Sequence, residues 1–156
     1  MIEYSWSDTE LAYLAGIADG EGSLIIHHRK DPLHSPVGNA YDCMLTVGNT
    51  SLSLIQWTRE RFGGSLIRYD DRYEGGRRES WKPMYRLSWL SKDVGVILPA
   101  ILEYLVVKRR LAEMMLSFIS IPRDEVDMRA VAYENFKQAA DDAKNNGRIY
   151  AESVTK

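Results

Sequence analysis

The spacing of apolar positions along the chain switches from a helical period to alternation and back, twice. It predicts the order helix, two strands, helix, two strands, then helices to the end. The first helix is predicted over residues 8–21. Ser7 followed by Glu10 makes a capping box, Asp8 suits the positive end of the helix dipole, and Gly20 and Gly22 stop the helix. Between cap and stop, LAYLAGIA is apolar all round, with Leu11, Leu14, Ala15 and Ala18 on one face and Tyr13, Gly16, Ile17 and Gly20 on the other. A helix of this kind must be covered on both sides, yet the first helix of a small domain meets its own sheet on only one. Gly16 and Gly20 remove side chains where two backbones would approach closely, so a twofold copy of the same helix is the simplest cover. The alternative is a helix sandwiched inside one larger core.

Residues 23–30 and 40–50 read as a hairpin around a loop holding Pro32, Pro36 and Gly38. Tyr41, Cys43, Leu45 and Val47 alternate with Asp42, Met44, Thr46 and Gly48, while Leu24, Ile26 and His28 alternate with Ile25, His27 and Arg29. A short helix over 51–62 comes next, ended by Gly63 and Gly64. A second hairpin then pairs 65–72 with 83–89, placing Tyr85, Leu87 and Trp89 inward and Met84, Arg86 and Ser88 outward. The outward face is expected to collect Ser23, Ile25, His27, Arg29, Asp42, Met44, Thr46, Arg68, Asp70, Arg72, Met84 and Arg86, with Arg77, Arg78 and Lys82 on the nearby loop. The fold class is therefore α+β: a four-stranded antiparallel sheet with helices on one face and a basic, hydrogen-bonding opposite face suited to a nucleic-acid groove. A solvated face is the ordinary state of an antiparallel sheet.

The remainder is helical. Ser91 can cap a helix carrying Val94, Ile97 and Leu98 that Pro99 breaks or kinks; Leu111, Met114, Met115, Phe118 and Ile119 line another, ended by Pro122. A last amphipathic helix over 127–145 turns Val131, Phe136 and Ala140 inward. With no linker or low-complexity tract, the 156 residues read as one domain, a core over about 8–120 and a helical tail over about 123–150.

Composition changes this picture in two ways. The 20 basic and 22 acidic residues leave a net charge of −2, but they are segregated. Residues 1–24 hold five acids and no base, residues 25–110 hold 14 Lys or Arg against nine Asp or Glu with all three histidines, and residues 111–156 hold six against eight. A basic middle between acidic ends can attract a polyanion locally. Secondly, the lone Cys43 cannot form an internal bridge and points to a reducing compartment. The apolar stretch 11–18 is too short for a membrane span and lacks the basic flank of a signal peptide. The expectation is an intracellular protein without a membrane partner, cytoplasmic in a prokaryote or inside an organelle.

Several familiar sites are absent. His27, His28 and His34 with Cys43 lack zinc spacing, and adjacent strand histidines point to opposite faces. There is no nucleophile elbow, phosphate-binding glycine loop or Cys-x-x-Cys pair. Asp19 and Glu21, however, sit at the carboxyl end of a helix whose middle, residues 11–18, is uncharged and apolar, where the dipole disfavours negative charge. A divalent cation would relieve the conflict, and two such helices meeting on a twofold axis would bring two Glu21 carboxylates together around it; carboxylates, backbone carbonyls and water suit magnesium. Alternatively, Asp19 bonds its own backbone and Glu21 lies in solvent.

The run L-A-G-I-A-D-G-E-G over 14–22 resembles the LAGLIDADG motif of homing endonucleases. The αββαββα order agrees, as do Asn49, Thr50 and Ser51 ahead of the second helix and Lys108 after the LEYL segment; the likeness spans roughly residues 8–120. A single motif copy implies a homodimer in which Tyr13, Gly16, Ile17 and Gly20 face their counterparts. The resemblance further implies that Glu21 is a metal ligand together with the Gly20 carbonyl, that Lys108 acts on active-site solvent or the phosphate, and that Ser51 falls at a polar, water-positioning place usually held by a larger side chain. Asp19 matches the first acidic position, usually structural. The metal would be Mg2+ or another divalent cation such as Mn2+, with Ca2+ binding without supporting cleavage.

The activity that the resemblance implies is a double-strand break in a long, roughly palindromic DNA site, leaving 5′-phosphate and 3′-hydroxyl ends. Arg29, Arg68 and Arg86 are the expected readers of guanine edges, and Arg77, Arg78 and Lys82 the expected phosphate contacts. An intron-RNA maturase or a non-cleaving DNA-binding protein of the same fold is the alternative, and a plain interaction module a third, weakened by the basic sheet face.

Overall fold

A computed structural model describes residues 5–31, 33, 35, 38–69 and 82–154, the last eight for their backbone only. The element order is α1 (Asp8–Glu21), β1 (Gly22–Lys30), β2 (Asn39–Asn49), α2 (Leu52–Phe62), β3 (Ser65–Tyr69), β4 (Met84–Leu90), α3 (Ser91–Ile101), a 3-10 turn (Leu102–Tyr104), α4 (Arg109–Ser120) and α5 (Val126–Val154). The strands form one antiparallel sheet in the order β1-β2-β4-β3. The α+β expectation holds, as does the element order through both hairpins. Among the described residues no helix is long and apolar enough to cross a membrane.

Local chemistry sets the ends of α1. The Ser7 hydroxyl accepts from the Glu10 N–H at 3.3 Å while the Glu10 carboxylate accepts from the Ser7 N–H at 2.9 Å, so two orphan donors are satisfied reciprocally. Glu10 also pairs with Arg61 of α2, and the Trp6 indole donates to the Arg61 carbonyl at 2.9 Å, tying the start of α1 to the end of α2. At the other end α1 runs directly into β1 through Gly22. A Cβ there would lie 2.5 Å from the Ala18 carbonyl oxygen, closer than any side chain tolerates, so the change of direction requires glycine.

The helices cover the face of the sheet that carries Leu24, Ile26, Cys43, Leu45, Val47, Leu87 and Trp89, all buried. Leu14, Ala15 and Ala18 of α1, Ile55 of α2, Val94 and Leu98 of α3 and Met115 and Phe118 of α4 complete one core. Its polar atoms are satisfied: the Trp89 indole donates to the Phe62 carbonyl at 2.9 Å and the buried Thr58 hydroxyl to the Leu54 carbonyl at 2.8 Å. Burial pushes the Cys43 thiol up to about 11, so it is an inert core group. His28 also lies on this face, stacked on Tyr41 at 4.7 Å.

Four expectations are corrected by this arrangement. Ser91 does not cap α3; it is the first helical residue, with φ +22°, and Leu90 holds the cap position without a side-chain bond. Pro99 does not break that helix, which continues to Ile101; placed in the last turn, it removes one hydrogen bond where few remain to be lost. α5 turns Ala132, Tyr133, Phe136 and Ala140 inward, whereas Val131 is exposed. Finally, Ile17 is buried in its own chain. At 3.6 residues per turn it lies only about 60° from Leu14 around the helix, inside the arc that faces the core.

Glu10 gives the α1–α2 junction a pH signature. Hydrogen bonding from Arg61, then from the Ser7 N–H, holds its carboxyl at about 2, below the ordinary 4.5. The folded state therefore binds fewer protons, and the contribution is complete above pH 4.5 and lost as pH falls toward 2. In acid titration followed by circular dichroism, Glu10→Gln should be less stable than wild type at neutral pH, and the gap should close across this window; a constant gap would mean that the carboxylate is not held there.

Candidate functional site

The site is built at the junction of α1, β1 and the turn leading into α4. Asp19 does not bond its own backbone. Its Oδ2 accepts from the N–H groups of Val106 at 2.7 Å and Val107 at 3.1 Å, and its Oδ1 from the N–H of Lys108 at 2.8 Å. Three backbone donors at the start of α4, the positive end of a helix, thus hold a carboxylate that the carboxyl end of α1 would disfavour. The charge conflict is settled by protein at Asp19, which agrees with a structural first acid in the motif.

The same contact delivers Lys108, whose Nζ donates to the backbone carbonyl of Asp19, two residues before Glu21. Burial lowers its pKa below the ordinary lysine value, partly opposed by the Asp19 charge. Far from being a solvated helix-start lysine, Lys108 is half-buried and fixed at the tip of α1. Glu21 is exposed and, among the described residues, has neither a hydrogen bond nor an ion pair. Gly20 beside it is exposed as well.

Ser51 is used differently from the expectation. It is the N-cap of α2: its hydroxyl accepts from the Leu54 N–H at 3.4 Å and lies 3.1 Å from the Ser53 hydroxyl, while its own N–H donates to Asn49 Oδ1 at 2.8 Å. Its side chain is engaged in capping, which reduces what it can offer a water.

No group of three or more His, Cys, Asp or Glu able to hold a metal exists among the described residues. Among the described residues, the carboxylate left available at this tip of α1 is Glu21, next to Gly20. The donor set fits a hard, oxygen-seeking divalent cation only in part and needs further oxygen ligands from water, substrate phosphate or a second chain.

The open face of the sheet lies beyond this tip. In register, Ser23, Ile25, His27 and Arg29 of β1 share it with Asp42, Met44 and Thr46 of β2 and with Met84, Arg86 and Ser88 of β4, as expected. Two positions differ. Thr46, in a central strand between Ser23 and Ser88, is only 8% exposed. Arg68 is on the wrong face: it pairs with Tyr85, and its neighbour Leu66 pairs with Leu87, so both belong to the helix side. The open face instead receives Ile67 and Tyr69, opposite Arg86 and Met84, and the Arg86 guanidinium lies 4.6 Å from the Tyr69 ring centre. Lys82 is exposed just before β4, whereas Asp70, Arg72, Arg77 and Arg78 lie outside the described residues.

Arg29 pairs with Asp42 at 3.4 Å with both side chains largely exposed. An exposed pair of this kind is worth about 0–1 kcal/mol, so it steadies Arg29 without preventing its transfer to another acceptor. A cavity of about 560 Å³ opens beside Arg29 and Asp42 toward Arg123 and Arg129, but none of Glu21, Ser51 and Lys108 lines it.

On the helix side, Tyr13 is 52% exposed, its ring edge-on to Trp57 at 5.1 Å. A Cβ at Gly16 or at Gly20 would meet no atom of the described residues within 4 Å, so nothing among those residues requires glycine there. Beside Asp19, Val106 and Val107 are 84% and 75% exposed.

Solved structures share this fold. The homing endonuclease I-CvuI in complex with its target in the presence of Ca aligns with a TM-score of 0.66 at 18% identity, over 83% of this chain and 81% of that chain. The archaeal intron-encoded homing endonuclease I-Vdi141I, complexed with DNA, aligns at 0.64 with 13% identity, over 84% of each. The group I intron-encoded homing endonuclease I-CeuI, complexed with DNA, aligns at 0.57 with 16% identity, over 85% of this chain and 63% of that chain. The sequence matches no protein-family model and no curated protein. The chain has the fold of the LAGLIDADG homing endonucleases.

Asp19 makes a measurable claim about this junction. Asp19→Asn keeps the shape but offers one acceptor where three N–H groups need two oxygens, and it aims an amide at donors. Urea unfolding should show a loss of about 2–4 kcal/mol; a change under about 0.5 kcal/mol, the range of ordinary surface substitutions, would mean that the clamp does not form.

Proposed function

We propose that the protein is a homing endonuclease that makes metal-dependent double-strand breaks in a long, roughly palindromic DNA site as a homodimer. The observation that carries this reading is the tip of α1: an unpaired, exposed Glu21 next to a lysine pinned by Asp19, at the edge of an open basic sheet face. The neighbouring structures are of homing endonucleases bound to DNA, with Ca present in one of them, which supports both the substrate and a divalent cation.

The chain's own residues divide the work. Glu21 and the Gly20 carbonyl would hold Mg2+, with Mn2+ an acceptable substitute. Bound there, the metal lowers the pKa of its water and offsets charge gathering on the phosphate. Lys108, its ammonium fixed by the Asp19 carbonyl, holds a proton at Nζ beside the phosphate and stabilises a developing oxyanion. Ser51 lies ahead of α2 as a capping residue with a minor role toward solvent. On the sheet, Arg86, braced by Tyr69, and Arg29, loosely paired with Asp42, are the best-placed guanidinium groups to reach guanine edges. His27, Ser23 and Lys82 add hydrogen bonds and phosphate contacts.

Homodimerisation is supported by the stripe Tyr13, Gly16 and Gly20, whose glycines have open space above them, with the exposed Val106 and Val107 adjoining it. Ile17, buried in its own chain, contributes at most an edge. A second copy laid against this stripe would bring the two Glu21 side chains together and supply the missing half of the metal site.

Two outcomes are expected. With linear DNA carrying the joined host-gene sequence and Mg2+, wild type should cut both strands, and Glu21→Gln should cut at least about a hundredfold more slowly; equal cutting would remove Glu21 from the metal. Binding of DNA or of intron RNA with no cutting by either protein would replace the nuclease reading with the regulator or the maturase. Separately, Gly16→Leu should leave the monomer folded, since its side chain enters open space, yet shift the mass by sedimentation from dimer to monomer. A dimer of unchanged affinity would place the twofold contact elsewhere.

A further inference from the structure

Strand register sorts the open face of the sheet into transverse rows. Ser23, Thr46, Ser88 and Ser65 stand side by side across all four strands, a row of hydroxyls. Two residues along in one direction, Ile25, Met44 and Leu90 form the next row across β1, β2 and β4. Two residues along in the other, Arg86 stands between Gly48 and Ile67.

The apolar row is anomalous for a solvated face. Antiparallel sheets alternate apolar-in and polar-out, yet Ile25, Met44 and Leu90 are apolar at three successive outward positions, and Leu90 is 52% exposed. With Ile25 and Met44 half-buried beside the exposed Leu90, the row is a partly exposed apolar strip, the kind of surface that marks a contact. Its neighbours on the same face are mostly polar: His27 and Arg29 lie beyond it on β1, with Asp42 opposite His27 and paired with Arg29, and Arg86 lies beyond the hydroxyl row beside Ile67. An apolar protein surface laid over the row would have to strip water from those charges, whereas a polyanion meets the cations favourably, with Asp42 already paired to Arg29. Within the major groove of DNA the one apolar group on a base edge is the 5-methyl of thymine.

We propose that the row Ile25, Met44 and Leu90 reads thymine methyl groups, so that each half-site carries an A·T pair there, selected by apolar contact rather than by hydrogen bonds. This rests on the reading of the sheet as the DNA-binding face of a homing endonuclease. Leu90, outside the expected set of DNA contacts, becomes a specificity-determining residue. The hydroxyl row beside it can donate or accept and so tolerates either member of a base pair, which leaves the apolar row, Arg29 and Arg86 as the discriminating elements.

The test uses the full chain and a pool of duplexes with randomised half-sites, selected for binding with Ca2+ in place of Mg2+. The recovered site is remade with deoxyuridine at each thymine in turn. One symmetric pair of positions should weaken binding about fourfold per methyl removed, and the double variant Met44→Ser, Leu90→Asn should lose that sensitivity while still retaining the other selected positions. Specific binding that ignores deoxyuridine everywhere, or a variant with the wild-type sensitivity, would overturn the thymine reading and leave the endonuclease reading standing. Failure to retain any sequence would overturn the endonuclease reading and this one with it. A variant that loses self-association instead of thymine sensitivity would assign the row to a protein contact. Should the variant fail to fold, the deoxyuridine series on wild type decides the matter alone.

Discussion

The contact on which the rest of the architecture depends is a carboxylate at the wrong end of one helix lying at the right end of another. Asp19 lies in the last turn of α1, where exposed carbonyls make negative charge unfavourable, and accepts three N–H groups from residues 106–108 at the start of α4. One side chain thereby orients two helices that lie far apart in sequence. Because the Asp19 carbonyl also receives the Lys108 ammonium, the contact that docks α4 is also the one that fixes the lysine at the tip of α1. This divides the labour between the two acids of the motif. The first serves structure, its oxygens saturated by donors, and the second remains exposed without a partner among the described residues.

The sheet shows a complementary arrangement. Its inner face is a continuous core, and its outer face is ordered by register into a hydroxyl row and an apolar row, with Arg86 beyond the first and Arg29 beyond the second. Weak surface interactions, such as the Arg29–Asp42 pair and the Arg86–Tyr69 stack, hold side chains in place there yet are weak enough to be exchanged for other partners.

Several features were legible because they are local. The capping box at Ser7 and Glu10, the Gly63 and Gly64 stop after α2 and the alternation in β2 each involve residues a few positions apart, and each appears where the pattern put it. Arg68 was misplaced for a definite reason. Leu66 and Ile67 are adjacent and both apolar, so either could have faced the core; only the pairing of Leu66 with Leu87 chooses between them, and with that choice Arg68 goes to the helix side and Tyr69 to the open face. Val131 in α5 is a similar case, displaced by the better-phased Ala132, Tyr133 and Phe136. Ser51 was legible as a polar residue ahead of α2, but its use as a helix cap depends on bond geometry that spacing does not show.

The amino-acid sequence by itself determined the secondary elements, the two-faced character of α1 and the family resemblance of its last turn, because helix caps, periodicity and motif spacing are short-range properties of the chain. Tertiary structure decided which partner satisfies Asp19, which face Arg68 takes and that Ile25, Met44 and Leu90 form a single row. These depend on groups as far as 89 residues apart brought together by packing and strand register. Packing and register are settled by the competition of whole surfaces for burial, and a pattern read one segment at a time does not contain that competition.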